Sequence, residues 1–257
     1  MPQLRVTVVG SSCSIPRPGS ACSSYLFEAA GRAVVADLGT GAFSKLLQYR
    51  SAESIDAIVI SHMHADHFID VIAMRYALKY GERSNDRRVS LFLPPGGEAT
   101  LRTLVSAFAR ESHHDFIGEV FDVRTYEPTK TLAVGDTLIR FAPTSHYVPT
   151  YAIRCDAGDA SVAYSADTAP DDGVAELARD ASLFLCEATL SPQEENRLPR
   201  GHLSAREAAQ LAARADVRTL VLTHYPAAAE RDDLAARARL TYAGDVIVAD
   251  DGLQLAR

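Results

Sequence analysis

Short apolar runs separated by glycine, proline and serine clusters predict β-strands along both halves of the chain. The continuous apolar run at residues 55–60 is typical of a strand that is buried on both faces. Helical periodicity follows at residues 70–80, which end before Gly81, and again at residues 98–110. The predicted strands are residues 4–9, 24–28, 32–37, 55–60, 89–93, 120–126, 137–141, 151–155, 161–165, 183–186 and 219–223.

The order of these elements is similar in the two halves. In each half several strands come first, and alternating helices and strands follow; the later helices are predicted at residues 173–179, 205–215 and 232–240. This order predicts an α/β fold in which two mixed β-sheets pack face to face with helices outside, a four-layer αβ/βα sandwich. We expect a single domain over residues 1–257, whose halves meet near residues 112–130.

The composition favours a small substrate over a long polyanion. The net charge is −7 and 47% of the 257 residues are apolar, whereas proteins that bind nucleic acids usually carry a basic stripe. The four cysteines form no Cys-x-x-Cys pair, so free thiols are expected, as in a reducing compartment. Since the sequence shows neither a signal-peptide pattern nor an apolar run long enough to cross a bilayer, we expect a cytoplasmic protein without membrane contact.

The first candidate site residues come directly after the apolar run at residues 55–60. The segment His-Met-His-Ala-Asp-His at residues 62–67 places two histidines on one side of an extended chain, and then an aspartate and a histidine where a helix starts. A polar loop with coincidental histidines is the alternative interpretation. Isolated ligand types follow other predicted strands, however, at His146, Asp167 and His224. Each of these alone would be an ordinary structural residue, but together they supply imidazole and carboxylate groups that suit Zn²⁺, Mn²⁺ or Fe²⁺.

This whole set resembles the metallo-β-lactamase superfamily, and the resemblance covers essentially the whole chain. It implies two divalent metal ions, Zn²⁺ in the first place and Mn²⁺ or Fe²⁺ as alternatives, whose shared water supplies the attacking hydroxide. It also implies that Asp66 accepts a proton or steers that hydroxide, and that Asp37, in the run Val-Val-Ala-Asp-Leu-Gly, orients ligands from behind. The implied ligands are His62, His64 and His146 for the first ion, Asp66, His67 and His224 for the second, and Asp167 between them.

The segment Tyr-Ser-Ala-Asp-Thr at residues 164–168 favours phosphodiester chemistry over lactam hydrolysis. It resembles the bridging-aspartate motif of the phosphodiesterase branches, where glycine usually replaces Ala166. True β-lactamases lack an aspartate at this point. Hydrolysis of antibiotics is therefore not expected as the native role.

A second motif supplies a candidate general acid. Ser204 and Glu207 form a capping box that predicts a helix start, with His202 just outside it, where free N–H groups would favour a phosphate. The stretch resembles the His-Ser-Thr segment of ribonuclease Z, interrupted here by Leu203, and Cys-Glu-Ala-Thr at residues 186–189 resembles that family's Glu-Ala-Thr strand end. At such a helix start we expect His202 to protonate the leaving oxygen or to bind a phosphoryl oxygen, and the resemblance implies that it is catalytic and that Glu187 supports it. A packing role for His202 is the alternative.

Residues 147–166 alone separate the third ligand from the bridging aspartate, and two strands account for them. Ribonuclease Z carries a long arm there that holds tRNA, so we expect an arm-less phosphodiesterase that acts on a small substrate such as a cyclic nucleotide. The alternatives are a ribonuclease Z-like tRNA 3′-end endonuclease, which makes nucleic acid a less favoured partner, and an ester or lactone hydrolase. A non-catalytic protein is disfavoured because every ligand position is filled.

The sequence leaves the oligomeric state and the roles of several residues undetermined. A homodimer is suggested only by analogy with the ribonuclease Z-like group. His113 and His114 lie in a polar segment that is more simply a solvent-exposed loop than part of the site. Arg17 and Arg200 could reach a phosphate, but the sequence does not place them.

Overall fold

The computed structural model describes residues 4–82, 85–109, 115–226, 229 and 231–257. Two short 3-10 helices, Ala52–Ser54 and Pro192–Glu194, lie in loops. The α-helices are α1 (Ala42–Leu46), α2 (Ala65–Phe68), α3 (Val71–Tyr80), α4 (Gly97–Ser106), α5 (Asp172–Leu177), α6 (Ala205–Arg214) and α7 (Arg231–Arg239). The strands are β1 (Arg5–Gly10), β2 (Ser24–Ala29), β3 (Arg32–Ala36), β4 (Ala57–Val59), β5 (Val89–Leu93), β6 (Phe121–Thr125), β7 (Leu132–Val134), β8 (Thr137–Pro143), β9 (Tyr151–Ala157), β10 (Ala160–Tyr164), β11 (Leu183–Glu187), β12 (Thr219–Thr223), β13 (Asp245–Val248) and β14 (Gln254–Ala256).

These strands form two mixed seven-stranded sheets, as predicted. The first sheet has the order β14-β1-β2-β3-β4-β5-β6, and the second has the order β13-β12-β11-β10-β9-β8-β7. In the first sheet β3 to β6 run parallel, while β14, β1, β2 and β3 are antiparallel neighbours. In the second sheet β10 to β13 run parallel, while β7 to β10 are antiparallel neighbours.

Three apolar clusters account for the four layers. One cluster packs the first sheet against α1, α3 and α4, with Met74 and Leu101 among its buried side chains. Another packs the second sheet against α5, α6 and α7. The third contains Phe27 and Val59 from the first sheet together with Ile153 and Val221 from the second, so it lies between the sheets. The predicted sandwich with helices outside is therefore confirmed.

The structure also contains elements that the hydrophobic pattern did not predict. The short helix α1 begins after Gly41, whose φ of 81° only glycine adopts readily. β7, β13 and β14 are outer or edge strands of three or four residues, too short for a clear alternation. The chain crosses between the sheets at residues 126–131, at the end of the predicted interval, and β14 then returns to the first sheet. The single domain over residues 1–257 stays a prediction.

Two expectations from composition can be compared with the structure. The four cysteines are free thiols and all are buried, as predicted. None of the helices in the described ranges combines the length and the apolar character that crossing a bilayer requires.

Candidate metal centre

The sheet ends bring the predicted site residues together. In open α/β sheets, ligands gather beyond the carboxyl ends of parallel strands, and here such ends from both sheets meet at one place. Asp37 follows β3, residues 62–67 follow β4, Asp167 follows β10, Glu187 ends β11 and His224 follows β12, while His146 follows the antiparallel strand β8. All seven predicted metal ligands fall into two groups whose ligand atoms lie within 4.8 Å of one another.

The first group contains three histidines whose ring nitrogens face one another. His62 Nε2 and His146 Nε2 each lie 3.1 Å from His64 Nδ1. The Oδ2 atom of Asp167 lies 3.7 Å from His62 Nε2 and 3.8 Å from His146 Nε2. Nitrogen ligands of one tetrahedral zinc ion are about 3.4 Å apart, so the spacing of this group matches that of a single coordination shell.

The second group shares Asp167 with the first. Asp66 Oδ2 lies 3.4 Å from both His67 Nε2 and His224 Nε2. Asp167 reaches the same two rings, with Oδ2 at 3.4 Å from His67 Nε2 and Oδ1 at 3.5 Å from His224 Nε2. This carboxylate therefore lies between the two groups.

The donor set fits two cations. Among the described residues, His67 Nε2 and Asp167 Oδ1 are buried atoms without a hydrogen-bond partner, which is costly unless another group binds them. Burial lowers the pKa of His62, His64 and His146, so their facing nitrogens are neutral and offer lone pairs. Their roles as metal ligands stay predictions, but nothing in the arrangement conflicts with them.

Asp37 holds His67 from behind the second group. Its own φ is 58°, in the left-handed region, and the side chain is fully buried. Its carboxylate accepts hydrogen bonds from the Ser61 amide at 2.7 Å, the Ser61 hydroxyl at 2.8 Å and the Tyr164 hydroxyl at 2.9 Å. His67 Nδ1 lies 2.7 Å from the same carboxylate, which holds a proton on Nδ1 and leaves Nε2 facing the cluster as the atom that would bind a metal.

Charges within the second group stabilise one another. Burial opposes a positive charge on His67, but the carboxylates of Asp167 and Asp37 raise its pKa well above the usual value. Burial also opposes the negative charge on Asp66 and Asp167, yet His224 and His67 lower the pKa of both carboxylates. The surroundings therefore favour positive charge at the centre and carboxylates around it.

His202 and Glu187 form a pair beside this cluster. His202 Nδ1 lies 3.0 Å from the buried Glu187 carboxylate and 3.9 Å from Asp167 Oδ2. Burial lowers the pKa of His202, but the charge and hydrogen bond of Glu187, together with Asp167, raise it to about 9. The other oxygen of Glu187 accepts from the Thr189 hydroxyl, which also contacts His224 Nδ1 at 2.8 Å. His202 is thus held as a cation at the edge of the centre, with 19% of its side chain exposed.

The start of α6 has the predicted capping box, and a second carboxylate lies beside it. The Ser204 hydroxyl accepts from the Glu207 amide, and the Glu207 carboxylate accepts from the Ser204 amide. The Glu195 carboxylate lies at the same helix end, where it accepts from the Ser204 hydroxyl at 2.6 Å and pairs with Arg206. The Glu195 carboxylate is thus held through the Ser204 side chain, and a cavity of about 560 Å³ that Ser204, Ala205 and Arg206 help to line opens beside it.

The remaining candidates have other partners or lie elsewhere. Arg17 donates to Ser11 and to the Tyr225 carbonyl, and Arg200 pairs with Glu207 at 2.7 Å. His113 and His114 lie outside the described residues. Sequence reasoning missed Ser61, Tyr164 and Thr189 as parts of the site, although Ser61 directly precedes the histidine segment and the other two belong to motifs already noted.

Comparisons with known proteins place this geometry in a family. The family described as the β-lactamase superfamily domain matches residues 18–225. The probable metallo-hydrolase YhfI of Bacillus subtilis is 31% identical over 258 residues, with 97% of this chain and 98% of that protein covered. The crystal structure of YhfI, described as a metallo-β-lactamase fold protein, superimposes with a TM-score of 0.88 at 26% identity and covers 100% of both chains.

Proteins named for RNA processing are also similar. Ribonuclease Z of Haloferax volcanii is 27% identical over 301 residues, covering 98% of this chain and 94% of that protein. The crystal structure of the short form of human tRNase Z has a TM-score of 0.77 at 19% identity, with 98% of each chain covered, which shows the shared fold.

Proposed function

Because the chain belongs to the metallo-hydrolases of the β-lactamase superfamily, we propose that it is a dinuclear metal-dependent phosphodiesterase that acts on a small substrate such as a cyclic nucleotide. The observation that carries this proposal is the position of Asp167. Its two oxygens lie 3.4–3.8 Å from ring nitrogens of both ligand groups. A carboxylate shared in this way supports a pair of ions at one reaction centre. Two ions held by these residues would lower the pKa of a bound water molecule and neutralise charge that develops on an attacked phosphate.

The protein's own residues supply the proton transfers in this proposal. Asp66 borders the centre as an ionised carboxylate and can accept or steer a proton there. Since Nδ1 of His202 donates to Glu187, the proton that a leaving group can receive is the one on Nε2. With a pKa of about 9, His202 is protonated at neutral pH and suits the role of general acid.

The connection between His146 and Asp167 supports a small substrate. β9 and β10 occupy residues 151–157 and 160–164, and they join through a tight turn at Gly158. These residues pair within the second sheet and leave no segment for an arm that would hold tRNA. The net charge of −7 also disfavours a long polyanion.

A ribonuclease Z-like tRNA 3′-end endonuclease is the second candidate, because relatives with that name cover almost the whole chain. Such an enzyme would have to bind its RNA without an arm, and its binding should weaken steeply with salt. An ester or lactone hydrolase is the third candidate, since the same centre could act on an acyl carbon.

A substrate panel tests the proposal. Protein loaded with Zn²⁺, Mn²⁺ or Fe²⁺ is assayed on an aryl phosphodiester, on 2′,3′- and 3′,5′-cyclic mononucleotides, on precursor tRNA, and on an aryl ester and a lactone. We expect hydrolysis of the small phosphodiesters, lost after chelation and in an Asp167→Asn variant. Asp136→Asn, in an exposed turn of the second sheet, is the matched control. Hydrolysis of no small phosphodiester with any ion would refute the proposal, and salt-sensitive tRNA cleavage would establish the second candidate instead.

The proposal extends to the setting of the protein. We propose Zn²⁺ as the resident ion, with Mn²⁺ and Fe²⁺ as alternatives, a cytoplasmic location suited to four free thiols, and a homodimer of single-domain subunits. Metal analysis of protein purified without added metal, and light scattering, measure the ion and the oligomeric state.

A further inference from the structure

An exposed aromatic ring lies beside the candidate centre. Tyr147 follows His146 directly, and its ring centroid lies 5.0 Å from that of His146 and 6.0 Å from that of His202. The residue is nevertheless 58% exposed. The other exposed aromatic residues of the described ranges, Tyr76, Tyr80 and Phe108, contact one another or Phe116 on a different part of the surface. Tyr147 is therefore an aromatic group that combines exposure with contact to the reaction centre.

The position of this ring is set by its neighbours. One edge lies against the backbone of Gly201, where an added Cβ would come within 3.0 Å of Tyr147 Cε2 and 2.7 Å of His146 Nδ1. The same backbone accepts a hydrogen bond from His146 Nδ1 at 2.8 Å. The ring is thus packed between a candidate ligand and the segment that leads to His202, while its remaining surface faces solvent. A fixed, partly exposed ring of this kind can stack on a planar group without first losing much conformational freedom.

We propose that Tyr147 is a specificity-determining residue, an aromatic wall that stacks on a nucleobase or another planar ring of the substrate. This inference rests on the proposed phosphodiesterase function. In a cyclic mononucleotide the base is one ribose ring away from the phosphodiester, so a phosphodiester at the cluster brings the base to the rim that Tyr147 occupies. Cyclic mononucleotides are then preferred over small phosphodiesters without a planar ring.

Steady-state kinetics on two substrates test whether Tyr147 stacks on a planar ring. Stacking of a base on an aromatic side chain contributes about 1–3 kcal/mol, or roughly 5- to 150-fold in affinity. The Tyr147→Ala variant should therefore raise KM for a cyclic mononucleotide about tenfold, with kcat and metal content unchanged. KM for glycerophosphoethanolamine, a phosphodiester without a planar ring, should not move, and Tyr147→Phe should restore the wild-type KM. Tyr80→Ala, which removes an equally large ring that is 71% exposed on α3, is the matched control.

A binding measurement tests the stacking on residue 147 independently of catalysis. The sequence contains no tryptophan, so a Tyr147→Trp variant carries one indole, at the position in question. Adenosine 5′-monophosphate should quench its fluorescence, and ribose 5-phosphate should not. Quenching by both ligands, or by neither, would refute the proposed stacking on Tyr147. An unchanged KM in the Tyr147→Ala variant would refute it as well. If the wild-type protein hydrolyses no phosphodiester, the proposed function fails and the fluorescence alone decides whether the wall binds planar rings.

Discussion

Replacing Asp37 with asparagine tests how the protein keeps His67 in the tautomer that a metal ligand needs. The change preserves size and shape, and asparagine adopts a φ of 58° more readily than most residues, so the backbone should not strain. What the change removes is an acceptor. In the folded protein Asp37 accepts four hydrogen bonds, from the Ser61 amide and hydroxyl, from His67 Nδ1 and from the Tyr164 hydroxyl.

An amide can occupy this position in two ways, and each is unfavourable. If its NH₂ group takes the place of Oδ2, it donates to His67 Nδ1, and the ring proton moves to Nε2, which points into the cluster. If its NH₂ group takes the place of Oδ1, it meets the Ser61 N–H, and two buried donors face each other. The second arrangement costs about 1–3 kcal/mol of folding free energy. The first should lower the affinity for one of the two ions by about 10- to 100-fold, as is typical when the partner of a ligating histidine is lost.

Two measurements separate these outcomes. Zinc titration against a chromophoric chelator reports the affinity of each ion, and chemical denaturation of the metal-free protein reports the free energy of unfolding. We expect at least one of the two quantities to fall by the stated amount in the Asp37→Asn variant and neither to change in Asp136→Asn. If Asp37→Asn binds both ions with wild-type affinity and unfolds at the same denaturant concentration, the assigned role of Asp37 is wrong.

Three further predictions concern other residues of the protein. His202→Ala should lower turnover about 10²- to 10⁴-fold with metal content intact. Wild-type turnover should fall as pH rises through the pKa of His202, which is about 9 in the metal-free centre and lower beside two cations, and Glu187→Gln should move that limb to still lower pH in a pH–rate profile. Ala166→Gly should change the free energy of unfolding by less than about 1 kcal/mol, because relief of the backbone strain at a φ of 51° offsets the loss of a buried methyl group. Ala166→Val should lower the free energy of unfolding by about 2 kcal/mol or more in a denaturation experiment. Burial raises the pKa of Asp251, but Lys45 and several hydrogen bonds lower it overall. Asp251→Asn should therefore destabilise the protein by about 1–3 kcal/mol at neutral pH. In an acid-denaturation series the difference from wild type should begin to shrink below about pH 3.9, the pKa of an unfolded aspartate, and should be lost as the pH falls through the lower pKa of the folded state.

The convergence of the candidate ligands could be predicted from the sequence because of where these residues stand along the chain. Each candidate ligand follows the end of a strand by at most eight residues, and strand ends on one edge of a sheet converge whatever the loops do. Hydrophobic patterning marks both the fully buried strand before His224 and the alternating strand before His146, so the positions of these two residues depended on a clear signal. The capping box at Ser204 was equally local, since its two partners are three residues apart.

Contacts between distant segments could not be predicted in the same way. The Tyr164 hydroxyl donates to Asp37 across the space between the two sheets, and no periodicity reports which buried tyrosine finds which carboxylate. Glu195 reaches the start of α6 from a loop whose path the sequence pattern leaves open. The position of the Tyr147 ring depends on packing against Gly201, which lies far along the chain.

The strand β14 has a consequence for the order in which the protein can assemble during synthesis. It pairs with β1 at the edge of the first sheet, although every strand of the second sheet precedes it in the chain. β1 therefore leaves the ribosome long before β14 is synthesised. One edge of β1 stays unpaired while the whole second sheet is translated. Such an unpaired edge invites pairing with other chains. We infer that a nascent chain stalled before residue 250 is the form of this protein most in need of a chaperone.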